Sequence, residues 1–589
     1  MKFVTQFYTR KIDATGLAVF RIAIGCVLFW EVFQLYSFRH LIFDEIPFIS
    51  FGNIDFKYGL LLWLAAIVAL IFGLFTRVVT ILNYTLSLVF FATIDNFGNH
   101  MLNVFMAINF LLMFTSVSQV LSLDSVITRF RNPNSRVNQH TVSVLQYYSF
   151  VFMALALVYF ISLFDKLLTD YWLNGLVIWK FASVPAEFAR MDLSFLLNQE
   201  YFIRFLAYFS LLFESVFIFI CFKKRYRIWV FSLGVLLHVG ILICFPFSPF
   251  ALGFISVYIL LLPVSFWRTV KHHITCRKRV PVFFRAHNFW SKRLMILVIS
   301  FDVFNCFECI EVDTNEQQAH QLLSKPLFWL HGKENDILTP YQALRFILLR
   351  LPLFVPLGLL LFIPFFNRLL YRNTVLSVKL LITSLKPRDN NTDTCTELKP
   401  YKIKLIAVFF VGVLLLQGHA ILRTKFAKTL NLPTGIVQVH NMARVVLGIS
   451  QHNVFTHPTE KQHLYSIAIT HQRANQELWL PLTKQNGQAD YYKNDPIRRK
   501  SFFSSYSPDL DSLKLNRYVR DYSAFWSFKN NIDLDSTHFN VYIKKLKIPE
   551  TWELDVYKKN IMKPWVLLGT ITWQDTLFYS QLDYSKRLH

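Results

Sequence analysis

The stretch NFGNHMLNVFMAINFLLMF, residues 96–114, sets Asn99 and His100 at the mouth of a run apolar enough to enter a bilayer. A helical span needs about 18 or more apolar residues, and runs of that kind recur near 16–36, 58–75, 77–95, 101–118, 143–164, 201–221, 228–246, 247–264 and 403–420. With 54% hydrophobic side chains and 61 Phe in 589 residues, the composition excludes an ordinary soluble globular protein. The reading is a polytopic α-helical membrane protein. Its first run has no small-residue cleavage site and many spans after it, so it is expected to be retained.

Basic loops resist translocation, and their positions set the expected orientation. Between Arg268 and Arg293 there are eight Lys or Arg and no acid, and FKKRYR at 222–227 is also basic. Placing both in the cytosol puts the N-terminus there too, together with Arg129, Arg131 and Arg136. Loops 37–57 and 165–200 then face outward. On this reading the net charge of +24 is largely topogenic, with any surplus suited to anionic membrane lipid, and it calls for no nucleic acid. Seven cysteines spread along the chain do not form a disulfide framework, and only Cys306 and Cys309 are closely spaced.

The expected organisation is an eight-span bundle over 1–265, a basic cytosolic linker at 266–293, and a compact cytosolic α/β segment at 294–385. A polar bridge at 386–402 leads to a last span at 403–420, and 421–589 forms an outer β-rich domain. HLYSIAIT, HFNVYIKKLKI and PWVLLGTITW supply its aromatic and β-branched runs. FILLRLPLFVPLGLLLFIPFF at 346–366 is apolar enough to span, yet holds Arg350 and three prolines.

Ionisable groups at membrane depth are costly and usually face the bundle interior. Asn99 and His100 open the fourth span; Lys166, beside Asp165, ends the fifth at the outer side. Glu214 and His238 lie inside the sixth and seventh, and Arg21 inside the first. Several could share one outward-facing cavity, where a desolvated lysine becomes an amine able to act as general base. Each also has a plainer role. Lys166 can snorkel as an interface anchor, His238 can bond between helices, Glu214 and Arg21 can form a structural pair, and Asn99 and His100 can cap a helix. No HExxH, Gly-rich phosphate loop or close ligand cluster supports a metal or nucleotide.

FRIAIG, NHMLNVFMAINFLLMF with LSLD, YFISLFDKLLTDYWLNG, and LLHVGILICFPFSPFALGFISVYILLLP together resemble the vitamin K-dependent gamma-carboxylase superfamily over about the first 265 residues. Its bacterial members are the horizontally transferred transmembrane domain proteins, and a bacterial inner membrane is the expected location. The resemblance implies that Lys166 is the base that deprotonates a reduced naphthoquinone, that Asn99 and His100 bind or orient reactants, and that His238 belongs to the same cavity. The implied reaction couples quinol oxygenation by oxygen to addition of carbon dioxide at a glutamyl side chain, in a secreted or periplasmic protein substrate.

The segment LMILVISFDVFNCFEC, followed by FWLHGKENDILTPYQALRF and its apolar continuation, resembles the DCC family of predicted thiol-disulfide oxidoreductases. These resemble thioredoxin and carry a CxxC after the first strand. The resemblance implies a redox role for Cys306 and Cys309, with a thiolate activated at a helix start, and counts 346–366 among that domain's closing helices. Two rivals to the carboxylase reading follow: a quinone-linked thiol-disulfide oxidoreductase, and a non-enzymatic scaffold or export factor working through its C-terminal domain.

Overall fold

The computed structural model describes residues 2–588 except 53–54, 95–99, 132–140, 186–188, 275–278, 286–288, 303, 313–327, 331–337, 339, 363–399, 427–433, 449–463, 474–475, 489–494 and 506–510. All nine apolar runs form helices. In the bundle these are α1 (Thr15–Ser37), α2 (Lys57–Phe72), α3 (Thr76–Thr93), α4 (His100–Phe114), α5 (Val144–Lys166), α6 (Glu200–Ile220), α7 (Arg227–Cys244) and α8 (Ser248–Tyr258). Among the described residues six helices have the length and apolarity to cross a membrane: α1, α3, α5, α6, α7 and the later Tyr401–His419. The count of nine full spans is therefore corrected. The 16 residues of α2 rise only about 24 Å and the 15 of α4 slightly less, while α8 runs on to Leu261 and then bends by 96° into Val264–Val270.

Helix packing is written into stripes three and four residues apart. On α6 the buried stripe is Ile203, Ala207, Ser210, Glu214 and Phe217, with Phe205, Leu212 and Phe219 exposed on the opposite side. On α7 it is Val230, Gly234 and His238, with Trp229, Leu236 and Ile243 exposed. The small residues within the stripes allow close approach. The exposed aromatic and aliphatic faces suit lipid contact.

At one end of the bundle Arg21 is wholly buried and donates to the Val117 carbonyl at 2.8 Å and the Leu121 carbonyl at 2.5 Å. Asp124 accepts from the Phe75 and Thr76 backbone N–H groups, each at 2.8 Å. Against this end packs a small sheet: β1 (Val280–Arg285), α9 (Phe289–Phe301) and β2 (Phe307–Val312) make a parallel βαβ unit, and β3 (Phe328–Trp329) pairs antiparallel on the other side of β1. The Arg293 guanidinium of α9 lies 5.2 Å from the Phe130 ring centre. Two expectations change here. A strand of the sheet lies inside the supposed linker 266–293, and LMILVISF is helix rather than strand. Further on, α10 (Pro340–Arg350) meets α11 (Val355–Leu360) across a bend of 115° at Pro352, so 346–360 is no straight span.

Beyond the polar bridge, α12 (Pro400–Phe426) packs on the bundle, with Phe409 stacked on Phe110 at 5.6 Å. Next comes α13 (Thr434–Leu447), a helix on the flank of α4 rather than part of the β-rich domain. Its C-terminal Gly448, at φ 66°, sits where a Cβ would be 1.9 Å from the Asn103 carbonyl oxygen, an approach only glycine allows. The β-rich domain itself is an antiparallel sheet of β4 (Leu464–Arg473), β5 (Gln476–Trp479), β6 (Phe539–Leu546), β7 (Val566–Gln574) and β8 (Leu577–Leu582), in the order β8-β7-β6-β4-β5. Alternation directs Ile467, Ile469, Val541, Ile543, Ile571 and Trp573 into one core with α14 (Asp495–Ser505) and α15 (Ser512–Asn530).

This domain docks on loops 37–57 and 183–198, at the end of the bundle opposite the small sheet. Phe525 of α15 stacks on Phe38 and Phe48 at 5.5 and 5.9 Å. On α14, Arg499 grips Glu31 of α1 with two bonds of 2.6 and 3.1 Å, and Lys500 donates to the Leu41 carbonyl. A second contact runs through α16 (Val556–Met562): Asn560 donates to the Ser183 carbonyl, and just before it Trp552 donates to that of Leu197 and Asp555 accepts from Asn198.

Candidate functional site

Lys166 is the last residue of α5. The helix carries a π-turn at Phe152–Ala156, and its following stripe, Leu155, Tyr159, Ser162 and Lys166, faces inward. Such turns add a residue to one helical turn and reset which side chains face the interior. Across from this stripe α6 brings Glu214. Its two carboxylate oxygens take the Lys166 Nζ at 2.5 and 2.6 Å, and both side chains are under 10% exposed. The Trp172 ring covers the same ammonium, with its centre 4.6 Å away.

The pairing decides between several expectations. Lys166 does not snorkel; it is buried against a carboxylate. That carboxylate is not Asp165 or Asp170, its sequence neighbours, but Glu214, 48 positions later. The Glu214–Arg21 pair is absent among the described contacts, since Arg21 is spent on backbone carbonyls at the other end of the bundle. Breaking such a buried pair by removing one partner typically costs about 3–5 kcal/mol, so the two side chains fix each other and the packing of α5 on α6.

Beside the pair lies a hydrogen-bonded trio. The Tyr159 hydroxyl is 2.7 Å from His238 Nε2 and 2.8 Å from the Tyr258 hydroxyl. All three residues are under 5% exposed. Gly234, one turn before His238, admits the Tyr258 ring, for a Cβ there would lie 2.1 Å from it. Phe254 stacks on the imidazole at 4.9 Å and Phe250 tilts against it at 5.7 Å. Lys166 lies within electrostatic reach of His238, and Glu214 of both tyrosines, so ion pair and trio form one cluster.

Asn99 lies outside the described residues. His100 is the first residue of α4, but its side chain is likewise outside them. The residue after His100 reaches α8: a Cβ at Gly253 would lie 2.0 Å from the Met101 side-chain methyl, and Gly253 precedes Phe254. Glu214 was singled out by sequence but not as the partner of Lys166, and Tyr159 and Tyr258 were not singled out at all. A tyrosine inside an apolar run is the one signal that pointed to them.

The cysteines do not form the expected site. Cys306 immediately precedes β2 and Cys309 lies within it, opposite Val282. They follow the C-terminal end of α9, where the helix dipole disfavours a thiolate, instead of opening a helix. Cys306 is disulfide-bonded while Cys309 is a free thiol, so they are not bonded to each other. Burial, with Asp302 adding to it, pushes the Cys309 thiol up to about 11. Among the described residues no group of three or more His, Cys, Asp or Glu could hold a metal ion.

Residues 9–267 match the HTTM domain family. The bundle is thus similar to an HTTM domain. The match covers the first described bundle helix to the bend after α8, and it agrees with the resemblance to the gamma-carboxylase superfamily. No curated protein and no solved structure matches the chain.

Proposed function

We propose that this HTTM domain protein is a gamma-carboxylase-like membrane enzyme in which Lys166 is the base acting on a reduced naphthoquinone. The observation that carries the reading is the buried Lys166–Glu214 pair set against Tyr159 and His238. At 2.5–2.6 Å the carboxylate can accept a proton from the ammonium. The amine left at Nζ can then take a proton from a bound hydroxyl. Trp172, Phe250 and Phe254 supply flat apolar faces and His238 a polar group, side-chain chemistry that suits a flat ring with oxygen at its edge. Bound there, the quinol would supply electrons to oxygen, and carbon dioxide would supply the new carboxyl group on a glutamyl side chain.

The end of the bundle bearing Lys166 and the β-rich domain is taken to face outward. The basic segment around Arg268–Arg293 lies at the other end, as retention of positive charge in the cytosol requires. In a bacterial inner membrane the substrate would then be a periplasmic or secreted protein. The test is incorporation of labelled carbon dioxide by membranes containing the protein, given reduced naphthoquinone, oxygen and outer-compartment peptides, with Lys166→Met alongside. Lys166-dependent label in glutamyl residues supports the reading. Label unchanged by Lys166→Met removes the base assignment, and loss of label with Lys166-dependent quinol oxidation leaves a redox enzyme on the same bundle.

A further inference from the structure

His238 is 1% exposed, and among the described residues its Nδ1 is a buried polar atom with no hydrogen-bond partner. Its other nitrogen is engaged, and counting protons along the trio shows what Nδ1 carries. Take an imidazole with one proton. If Nε2 held it, Nε2–H would donate to Tyr159 and Tyr159 to Tyr258. The Tyr258 hydroxyl hydrogen would then have no acceptor, because its one hydrogen-bond partner among the described residues is Tyr159. Nδ1 would also be left as an unused acceptor, making two buried unsatisfied groups.

In the reverse direction Tyr258 donates to Tyr159, Tyr159 donates to Nε2, and every hydroxyl hydrogen is used. One group remains, an Nδ1–H donor. A buried unsatisfied polar group costs about 1–3 kcal/mol, so the arrangement with one is preferred to the arrangement with two. We infer that Tyr159, which can accept from Tyr258, locks His238 into the tautomer protonated at Nδ1, and that this N–H is the donor for an acceptor oxygen of a flat aromatic ligand. Naming that oxygen as a quinone or quinol oxygen rests on the function proposed above; the tautomer does not.

Tyr159 is then a positioning residue, acting on the ligand through the imidazole. Gly234 belongs to the same device, since it is what lets the Tyr258 ring approach. The surrounding Phe250 and Phe254 rings offer no competing acceptor.

The test uses the full-length protein with 15N-histidine in lipid nanodiscs, His238→Leu identifying the resonance. Nδ1 is expected to carry the proton and Nε2 to show the shift of an unprotonated nitrogen accepting a hydrogen bond. Tyr159→Phe is expected to remove that lock and move the proton towards Nε2. A wild-type spectrum with the proton on Nε2 overturns the inference, whatever the outcome of the carbon dioxide experiment. Menadione, a naphthoquinone without a tail, then probes the ligand contact through quenching of tryptophan fluorescence. His238→Leu is expected to weaken binding about five- to tenfold, the net worth of one hydrogen bond. Equal affinity of wild type and His238→Leu overturns the contact while leaving the Lys166 assignment standing.

Discussion

Replacing Glu214 by Gln should leave the Lys166 ammonium buried with a neutral amide in place of its counter-charge. The side chains are 6% and 8% exposed, and the carboxylate is bidentate at 2.5 and 2.6 Å, so water cannot take over the lost contact. Removing one member of such a pair costs about 3–5 kcal/mol, whereas replacing both by apolar groups of similar volume is neutral or stabilising by about 1–4 kcal/mol. Glu214→Gln and Lys166→Met should each lower the thermal midpoint of the purified protein. The double variant Lys166→Met/Glu214→Leu should recover most of the loss, giving a coupling energy on the order of 3 kcal/mol. The assay is thermal unfolding in one fixed detergent, followed by tryptophan fluorescence and by loss of monodisperse protein. Small and additive effects of the two single changes would refute the buried pair, and with it the route by which Glu214 could hold the Lys166 proton.

Glu31→Gln and Arg499→Met should each loosen the C-terminal domain, because both break the buried contact between α1 and α14; limited proteolysis should cut the domain free sooner than in wild type. Gly234→Ala forces a methyl into the Tyr258 ring and should cost about 1–3 kcal/mol as overpacking, read as a lower thermal midpoint. Burial pushes Lys544 down to about 8, below its value in an unfolded chain. Its folded pKa being the lower one, the unfolded state binds more protons between about pH 8 and pH 10.4, and stability should rise with pH across that window. Lys544→Met should therefore melt higher than wild type at pH 7, the gap closing towards pH 10. Cys309, raised to about 11, should alkylate slowly at pH 8, and Cys306 only after reduction, as mass spectrometry of labelled peptides would show.

Much of this architecture could be read from hydrophobic periodicity. The apolar runs became helices, and the β-branched runs of the tail became strands. Lys166 and His238 stood out because charge in an apolar run is rare. Partners were harder. Glu214 was visible as a lone acid, yet nothing in the chain says that α6, and not α1, packs beside Lys166. Glu31, inside the first apolar run, was not singled out, and its partner Arg499 lies 468 positions away. LMILVISF illustrates a local failure, since an apolar run of that length suits a buried strand and a helix equally. The Val280–Arg285 strand next to it decided the matter by supplying the first strand of the βαβ unit. The CxxC consequently moved from the start of a helix to beyond its end.

The position of Glu214 changes what Lys166 can do. A lysine buried alone must lose its charge to stay buried, and would have no route for taking that proton back. Paired with a carboxylate, it keeps the proton on one partner or the other while the net charge of the pair stays zero, so the cluster can pass a proton without exposing a bare charge to hydrocarbon. The trio beside it does a different job. Its hydroxyl protons are committed in one direction, towards His238, which leaves the imidazole as a donor and not a second base. On the proposed function, one cluster would separate the two tasks a deprotonating site needs, accepting a proton at Lys166 and holding an oxygen at His238. The separation also yields distinct signatures: changes at Lys166 or Glu214 should fall mainly on turnover, and changes at Tyr159 mainly on ligand affinity and the imidazole tautomer. A Tyr159→Phe protein with wild-type affinity and an unmoved tautomer would show that the hydroxyl chain holds α5, α7 and α8 together and does nothing more.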